Sequence, residues 1–272
     1  MPKLELSVVI PAYLEEENLR VLLPRLLTVL RASGRTFEVL VVDTEKPIDN
    51  TKLVCGETGA TYCPRQGGND YGDAVRTGIA SAQGELILFM DADGSHAPEF
   101  IPRLIEHAAT HDIVIASRYV EGGATENPAS LIWMSRILNF IYTLVLRIPC
   151  RDVSNSFKVY RARLLKSLEL ECDHFDIVEE MLVKCSVVQR PLTIKEVPFV
   201  FKARMFGVTK RDLVTFVLSF YVTLMRLFFM RLRAGRKAKS AAQRTDAVTD
   251  GRPPEGAGLG RALARPVQPR RQ

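Results

Sequence analysis

The sequence is poor in the residues that stabilise secreted or zinc-dependent folds. Its 272 residues include only five scattered cysteines, and no CxxC pair or Cys/His cluster occurs. This scatter excludes a disulfide framework and a zinc site, and it predicts reduced thiols in a reducing compartment. The N-terminus MPKLELSVVIPAY has no signal-peptide pattern, because its short apolar run leads directly into a predicted strand.

Charge is unevenly distributed along the chain. Residues 231–272 carry eleven Lys and Arg against three Asp and Glu, a net charge of +8. Since the whole chain has a net charge of +6, the residues before this tail carry −2. A basic tail behind an apolar segment favours an anionic membrane surface over nucleic acid as its partner. The alternative is a tail without a partner, and its composition predicts disorder in either case.

Short apolar runs alternate with helical patterns along the first 120 residues. Strands are predicted at LSVVIPAY, FEVLVVD, ELILFMDAD and DIVIASR, with helices between them. This alternation is typical of a parallel α/β sheet, and continuous apolar strands require a sheet that is covered on both faces. Ligands bind such sheets beyond the carboxyl ends of the strands. The pattern places four charged residues there: Asp43, Asp91, Asp93 and Arg118.

The stretch GELILFMDADGSHAPEF places two carboxylates, Asp91 and Asp93, directly after a predicted buried strand. Two acids with this spacing can bind one hard cation, Mg²⁺ or Mn²⁺, which keeps positions open for phosphate oxygens. The cation would offset the mutual repulsion of the acids and the cost of their desolvation. The alternative is that Ser95 or Asp93 caps the following helix, and the short D-x-D pattern alone leaves both open.

Five stretches, in the same order, resemble the motifs of one family. VVIPAYLEE is similar to its first-strand motif PTYNE, DADGSHAPEFIPRL to its DADLSHHP block, and ASRY to its S-x-R motif. DVSNSFKVYRARLL resembles DLTGSFRLYR, and EVPFVFKARMFGVTK resembles a closing EVP followed by R-x-x-G-x-S-K. The chain therefore resembles the inverting family 2 glycosyltransferases of GT-A fold, and among them the dolichyl- and polyprenyl-phosphate mannose synthases. The resemblance covers roughly residues 6–212.

The resemblance implies a GT-A domain over residues 1–212, with a mostly parallel, Rossmann-like sheet flanked by helices, and a sugar-nucleotide donor. Asp91 and Asp93 would hold Mg²⁺ or Mn²⁺ against the donor diphosphate, and Ser95 stands where some relatives have a third metal ligand. The positions that match nucleotide-sugar or phosphate contacts in the family are Pro11, Tyr13, Glu15, Asp43, Asp91, Ala92, Asp93, Arg118, Arg204 and Lys210.

The resemblance leaves the donor and the acceptor open. It favours transfer of mannose from GDP-mannose to a polyprenyl or dolichyl phosphate, with UDP-glucose or UDP-N-acetylglucosamine as alternative donors. A phosphate acceptor is already an anion at pH 7, whereas a sugar hydroxyl needs a general base. Glu180, in FDIVEEML, matches the acidic position that is the base in hydroxyl-using relatives. A third hypothesis, a non-catalytic nucleotide-sugar-binding membrane protein, is disfavoured because both metal acids are present.

Two apolar segments indicate contact with a membrane. Residues 131–149 are predicted to form an interfacial amphipathic helix, with a core helix as the alternative. Residues 213–230 would form a helix about 27 Å long, which is only just enough to span a bilayer. A single span would export the basic tail, against the positive-inside tendency. The sequence therefore predicts a helix that lies in the interface, on an enzyme peripheral to the cytoplasmic face of a membrane.

Overall fold

The computed structural model describes residues 3–207 and 220–234, in which helices cover both faces of a central sheet. The strands are β1 (Leu6–Pro11), β2 (Phe37–Asp43), β3 (Thr61–Pro64), β4 (Leu86–Phe89), β5 (Ile113–Ser117), β6 (Ala124–Thr125), β7 (Lys158–Arg161), β8 (Ile194–Pro198) and β9 (Val200–Phe201). The helices are α1 (Glu16–Ala32), α2 (Thr51–Thr58), α3 (Tyr71–Ser81), α4 (Ile101–Ala108), α5 (Ala129–Leu146), α6 (Ala162–Lys166) and α7 (Ile177–Val188). Residues 220–234 are also helical.

The central sheet confirms the predicted α/β class. Its strands lie in the order β3-β2-β1-β4-β7-β5-β8, and β6 and β9 form a separate parallel pair. Every pairing in the central sheet is parallel except those that β7 makes with β4 and β5. Strands β1 and β5 are buried along their whole length, as expected for strands covered on both faces.

Strand β7 was not predicted, and its direction decides what reaches the site. Lys158, at the start of β7, pairs with Phe89, at the end of β4. An antiparallel strand begins at the edge where its parallel neighbours end. The polar segment 150–157 that precedes β7 therefore lies at the carboxyl edge of the sheet, beside Asp91 and Arg118.

Helix α1 packs against the sheet through one face of leucines, as its periodicity predicts. A proline inside a helix removes one backbone donor and often produces a kink, yet the helix is continuous from Glu16 to Ala32 with Pro24 inside it. Pro24 lies on the exposed side of the helix. Water can therefore satisfy the carbonyl group that loses its backbone donor there. The buried leucines of this face are Leu19, Leu22, Leu23, Leu26, Leu27 and Leu30.

Helix α5 is the one helix among residues 3–207 and 220–234 that is long and apolar enough to cross a membrane. Its mean hydropathy is 1.5, and only 17% of it is buried. One side carries four exposed apolar residues, here called the apolar stripe: Trp133, Ile137, Phe140 and Leu144. The helix coincides with the predicted interfacial segment 131–149, and its contact with a membrane stays a prediction.

Residues 220–229 belong to the same compact unit as the sheet, which extends over Met1–Phe229. The Tyr142 hydroxyl donates to the Phe220 carbonyl oxygen at 2.9 Å, and the Thr223 hydroxyl donates to Asp176. This unit therefore extends past the domain boundary predicted at residue 212. The first part of the predicted apolar helix 213–230 and nearly all of the basic tail 231–272 lie outside the described residues.

Candidate functional site

A cavity of about 760 Å³ opens at the carboxyl edge of the sheet. Nine predicted site residues line it: Pro11, Tyr13, Glu15, Asp91, Ala92, Asp93, Ser95, Arg118 and Arg204. Asp43 is fully buried at the same edge and does not line the cavity. Glu180 also lies outside the lining, and Lys210 lies outside the described residues.

The two acids after β4 face the cavity from a tight turn. The side chain of Asp91 is 22% exposed, and its Oδ1 accepts a hydrogen bond from the Ser156 hydroxyl at 2.8 Å. Asp93 is 21% exposed and lies 3.6 Å from Arg204 Nη1. Its Oδ1 accepts from both the amide and the hydroxyl of Ser95. Neither Ser95 nor Asp93 caps the following helix, so the capping alternative is not observed.

His96 fixes this turn to the segment that precedes β7. Its Nδ1 accepts a hydrogen bond from the Asp91 amide at 2.9 Å, so Nε2 carries the ring proton. Nε2 donates to Asn155 Oδ1 at 3.2 Å, and the ring stacks on Phe157. Burial lowers the pKa of His96, so the ring stays neutral. No role beyond its motif is predicted for His96 from the sequence, whereas in the structure its ring holds the backbone of Asp91 in place.

Arg118 is held rigidly by a buried carboxylate. Its Nε and Nη2 donate to the two oxygens of Asp152 at 2.8 and 2.7 Å, and Nη2 also donates to the Ser154 hydroxyl. Burial alone would lower the pKa of Arg118, but Asp152 raises it above the ordinary value. The guanidinium thus remains charged at the cavity wall in one orientation, which suits contact with a phosphate.

Arg204 joins the closing motif to the N-terminal motif. Its Nη2 forms an ion pair with Glu15, and its Nη1 approaches Asp93. Asn18 supports this arrangement by donating to Glu15 at 2.5 Å and by accepting from the Phe206 amide at 3.1 Å. Residues 203–207 are therefore held across the cavity mouth beside the acidic turn.

The end of the cavity near β2 and β3 holds buried polar groups. Asp43 is fully buried, its Oδ1 has no hydrogen-bond partner among the described residues, and burial raises its pKa. The Tyr62 hydroxyl lies 3.5 Å from Asp43 Oδ2, and burial raises the pKa of Tyr62 to about 12. Arg65 lines the cavity and donates to the carbonyl groups of Ala12 and Asn69.

Sequence reasoning missed Arg65. Its signal was a basic residue directly after a strand, but β3 itself was not predicted. Arg65 Nε has no hydrogen-bond partner among the described residues. Burial lowers the pKa of its guanidinium. An unpartnered buried donor on a residue that lines a cavity is typical of a place that a polar ligand completes.

The acidic pair of α7 differs from the prediction. Glu179, not Glu180, lines the cavity. Glu180 points away, accepts from the amides of Glu171 and Cys172, and pairs with Lys184 at 2.8 Å. The contacts of Glu180 are thus within the protein, whereas Glu179 reaches the cavity; the role of Glu180 as a base stays a prediction.

Lys158 lies fully buried behind the site. Its Nζ donates to the carbonyl groups of Val153 and Asn155. Burial lowers its pKa to about 8, against the opposing effect of Glu179 and Asp152. Its two hydrogen bonds hold the segment before β7 in place, and that segment carries the partners of both Asp91 and Arg118.

The donor set at the turn fits a hard cation. Asp91 and Asp93 offer partly exposed carboxylate oxygens toward the cavity, the ligand type that Mg²⁺ and Mn²⁺ prefer. The described residues contain no group of three or more His, Cys, Asp or Glu that could hold a metal ion. Phosphate oxygens and water would complete the coordination, as is usual for Mg²⁺ beside a nucleotide.

Helix α5 contributes an aliphatic part of the cavity wall. Leu131, Met134 and Leu138 lie one helical turn apart and line the cavity, whereas the apolar stripe faces outward. Charged groups on one wall and aliphatic side chains on the other suit an amphiphilic ligand with an anionic head.

Comparisons with known proteins agree with this geometry. The family model described as "Glycosyl transferase family 2" matches residues 7–169. A "Dolichol-phosphate mannosyltransferase" of Pyrococcus furiosus is 34% identical over 215 residues, which are 76% of this chain and 59% of that protein. A "Polyprenol monophosphomannose synthase" of Mycolicibacterium smegmatis is 29% identical over 225 residues, 75% of this chain and 79% of that protein. The chain thus covers less than two thirds of the first of these relatives.

A solved structure shares the fold at lower identity. Glucosyl-3-phosphoglycerate synthase from Mycobacterium tuberculosis, in a complex with Mn²⁺, UDP and glucosyl-3-phosphoglycerate, aligns with a TM-score of 0.62. The identity is 18%, and the alignment covers 82% of this chain and 79% of that one. Another structure of the same enzyme, with Mg²⁺ and UDP, also has a TM-score of 0.62.

Proposed function

Because the chain belongs to the family 2 glycosyltransferases, we propose that it transfers a sugar from a nucleotide donor to a polyprenyl phosphate at a membrane surface. The proposed donor is GDP-mannose and the proposed cofactor Mg²⁺ or Mn²⁺, in a reaction that inverts the anomeric configuration. The names of the two curated relatives support mannose transfer to a lipid phosphate. The fold neighbours that bind Mn²⁺ or Mg²⁺ with UDP support the metal and keep a uridine donor as the alternative.

The observation that carries this proposal is the pairing of two unlike walls in one cavity. Asp91 and Asp93 would face the donor diphosphate, and Arg118 would face the phosphate of the acceptor. The α5 wall would contact the first part of the hydrocarbon chain. A water-soluble acceptor would gain no binding energy from an aliphatic wall that continues into an exposed apolar helix.

The reaction follows from these positions as a single in-line displacement. An oxygen of the lipid phosphate attacks the anomeric carbon and forms the new C–O bond. The bond from that carbon to the donor diphosphate breaks, and its electron pair leaves on the diphosphate oxygen. When bound, the divalent cation supplies Lewis-acid stabilisation of that leaving group. No proton moves, since the attacking phosphate is already an anion at pH 7.

A panel of labelled sugar nucleotides tests the function. Purified protein is incubated with each donor, Mg²⁺ and vesicles that contain polyprenyl phosphate, and the products are extracted with organic solvent. We expect label from GDP-mannose in the organic phase. If only UDP-glucose or UDP-N-acetylglucosamine delivers label to the organic phase, that nucleotide sugar is the donor instead. If label appears only in water-soluble products, the proposal of a lipid acceptor is wrong.

The two carboxylates alone make a weak metal site, so Mn²⁺ is expected to bind at least about tenfold more tightly when GDP is present. The reason is that diphosphate oxygens supply the ligands that the chain lacks. Calorimetric titration of Mn²⁺ with and without GDP measures the difference. Asp91→Asn should abolish it, whereas Glu57→Gln, an acid-to-amide change at an exposed ion pair, should preserve it. Equal affinity with and without GDP contradicts the proposed site.

Glu179→Gln separates a phosphate acceptor from a hydroxyl acceptor. With polyprenyl phosphate, kcat should fall less than about tenfold, because no base is needed. A hydroxyl acceptor would lose roughly 10²–10⁴-fold, the usual contribution of a general base. Glu180→Gln is the matched control on the neighbouring residue, and it should lower thermal stability rather than kcat. A collapse of kcat in Glu179→Gln alone would favour the hydroxyl alternative.

The proposed location is the cytoplasmic face of a membrane, with peripheral attachment. The exposed stripe of α5 and the +8 charge of residues 231–272 support it. A protease-protection assay on intact vesicles should find the C-terminus cleaved from the cytoplasmic side. A protected C-terminus would indicate a span.

A further inference from the structure

Helix α5 presents three different faces at regular helical spacing. Its outer face is the apolar stripe, and its inner face lines the cavity through Leu131, Met134 and Leu138. The third face attaches the helix to the rest of the molecule, and its buried residues are Asn139, Tyr142 and Leu146. A buried asparagine is unusual on a helix that is otherwise mostly exposed and apolar, so its hydrogen bonds define its role.

Asn139 binds the segment before β7 with both ends of its amide. Its Oδ1 accepts from the amides of Val153 and Ser154 at 2.6 and 3.0 Å. Its Nδ2 donates to the Ser154 hydroxyl at 3.0 Å and to the Ser135 carbonyl oxygen within α5. Only 2% of the residue is exposed, so these bonds form out of contact with water.

Ser154 carries the connection on to Arg118. The hydroxyl that accepts from Asn139 also accepts from Arg118 Nη2 at 2.9 Å. Asp152, two residues earlier, accepts from the amide, Nε and Nη2 of Arg118. One unbroken series of hydrogen bonds therefore leads from α5 through Ser154 to the guanidinium at the cavity wall.

We propose that Asn139 is a positioning residue that couples engagement of α5 with a lipid surface to anion binding at Arg118. The proposal rests on the proposed function, because it takes the anion to be the phosphate of a membrane-bound acceptor. Asn139 binds the segment that carries both Asp152 and Ser154, the two partners of Arg118, so the orientation of Arg118 and the position of α5 depend on each other, and a bound phosphate favours one position of the helix. By linkage, the same position then favours binding of phosphate. The transferase would thereby acquire a complete acceptor site chiefly when it lies on a membrane.

The chain contains a suitable reporter, since its single tryptophan, Trp133, lies on the apolar stripe. Its fluorescence shifts when the stripe enters lipid. Partition of the full chain into phosphatidylcholine vesicles is measured with saturating inorganic phosphate and, at matched ionic strength, with chloride. Neutral vesicles are used because phosphate could otherwise alter partition by screening the charge of anionic lipids. We expect phosphate to strengthen partition at least about fivefold, the lower end of usual coupling between sites.

Variants assign the coupling to Asn139. Asn139→Ala should reduce the phosphate effect to less than about twofold, and Arg118→Ala should remove it. Thr143→Val is the matched control, because the Thr143 hydroxyl also joins α5 to the same segment, at the Cys150 carbonyl oxygen, but has no link to Arg118. Its phosphate effect should equal that of the unaltered chain. Asn139→Asp keeps the two acceptor bonds and loses the donor to Ser154, so it should show a reduced effect even if Asn139→Ala does not fold.

Each outcome decides the matter. The proposal is wrong if phosphate does not change the partition of the unaltered chain. It is also wrong if the phosphate effect on partition is undiminished in both Asn139 variants. Loss of the effect in Thr143→Val as well would show that any weakening of the α5 attachment suffices, and would also overturn it. Because these measurements use neither donor nor turnover, they are independent of the transferase assay. A failed transferase assay with intact coupling would instead refute the proposed function.

Steady-state kinetics supply a second measurement, which a purely structural role of Asn139 would not change selectively. Asn139→Ala should raise KM for polyprenyl phosphate while leaving the dissociation constant of GDP nearly unchanged. Thr143→Val should alter neither. An equal loss of acceptor and donor binding in Asn139→Ala would indicate general damage to the cavity and contradict a positioning role directed at Arg118.

Discussion

Replacing Asp91 by asparagine is expected to lower kcat by roughly 10²-fold or more. The amide keeps the size of the side chain and can still accept from the Ser156 hydroxyl, so the turn should persist. What is lost is the negative charge that would hold the proposed cation against the leaving diphosphate. A loss of about 3 kcal/mol of transition-state stabilisation, within the range for metal-ion catalysis, corresponds to this factor. Initial rates at saturating donor and acceptor measure it.

Two controls make the Asp91 result specific. Glu57→Gln, outside the cavity, should retain full turnover, and the thermal unfolding of Asp91→Asn should resemble that of the unaltered chain. Asp93→Asn should also lose turnover, together with its contact to Arg204. Undiminished kcat in Asp91→Asn at saturating Mg²⁺ would exclude the proposed cation site.

The second large effect is on stability. Asp152→Ala should lower the free energy of unfolding by about 3–5 kcal/mol, because it leaves the Arg118 guanidinium buried without a counter-charge. Asp152 is fully buried and Arg118 is 9% exposed, so water can replace little of what is lost. Chemical denaturation at pH 7 measures the change. The matched control is Glu99→Ala, which breaks the exposed ion pair with Arg25 and should cost less than about 1 kcal/mol.

The contribution of Asp152 should depend on pH in a defined direction. Burial alone would raise the pKa of Asp152, but Arg118 holds it below the ordinary value of 3.8. A carboxyl with a lowered pKa in the folded state stabilises it above the unfolded-state value, and this stabilisation is lost as pH falls through the folded-state value. The stability difference between the unaltered chain and Asp152→Asn should therefore be constant near neutrality and shrink below about pH 4. A difference that grows in acid would contradict the ion pair.

The site residues that could be predicted from sequence are those that directly follow a strand of the parallel sheet. Asp43, Asp91 and Arg118 each follow a continuous apolar run, and such runs end at one edge of a parallel sheet. The predicted fold class and the position of these residues required nothing beyond that local pattern. The family resemblance added Glu15 and Arg204, whose contact joins residues 189 positions apart.

The rest depended on information that local pattern does not contain. Strand β7 is only four residues long, and nothing in KVYR indicates that it runs antiparallel. Its direction nevertheless brings Asp152 to Arg118, an ion pair between residues 34 positions apart. Long-range charge pairs of this kind become visible only once the topology is known.

That Glu179 rather than Glu180 lines the cavity could not be predicted either, for a related reason. Helix α7 is buried on nearly every side from Ile177 to Val183. A helix without a contrast between polar and apolar faces gives no indication of which neighbour points toward a cavity. The family resemblance pointed to Glu180, but adjacent residues on a helix point about 100° apart, and in the structure it is Glu179 that faces the cavity.

The attachment of residues 220–229 restricts how the chain can be shortened. The rings of Phe220 and Tyr142 pack in a tilted arrangement with their centroids 4.2 Å apart, and the Thr223 hydroxyl forms hydrogen bonds with Cys172 and Asp176. A fragment that stops at residue 212 would expose these contacts to solvent at the base of both α5 and α7. A shortened version that keeps these contacts with α5 and with residues 172–176 therefore has to retain the chain through residue 229.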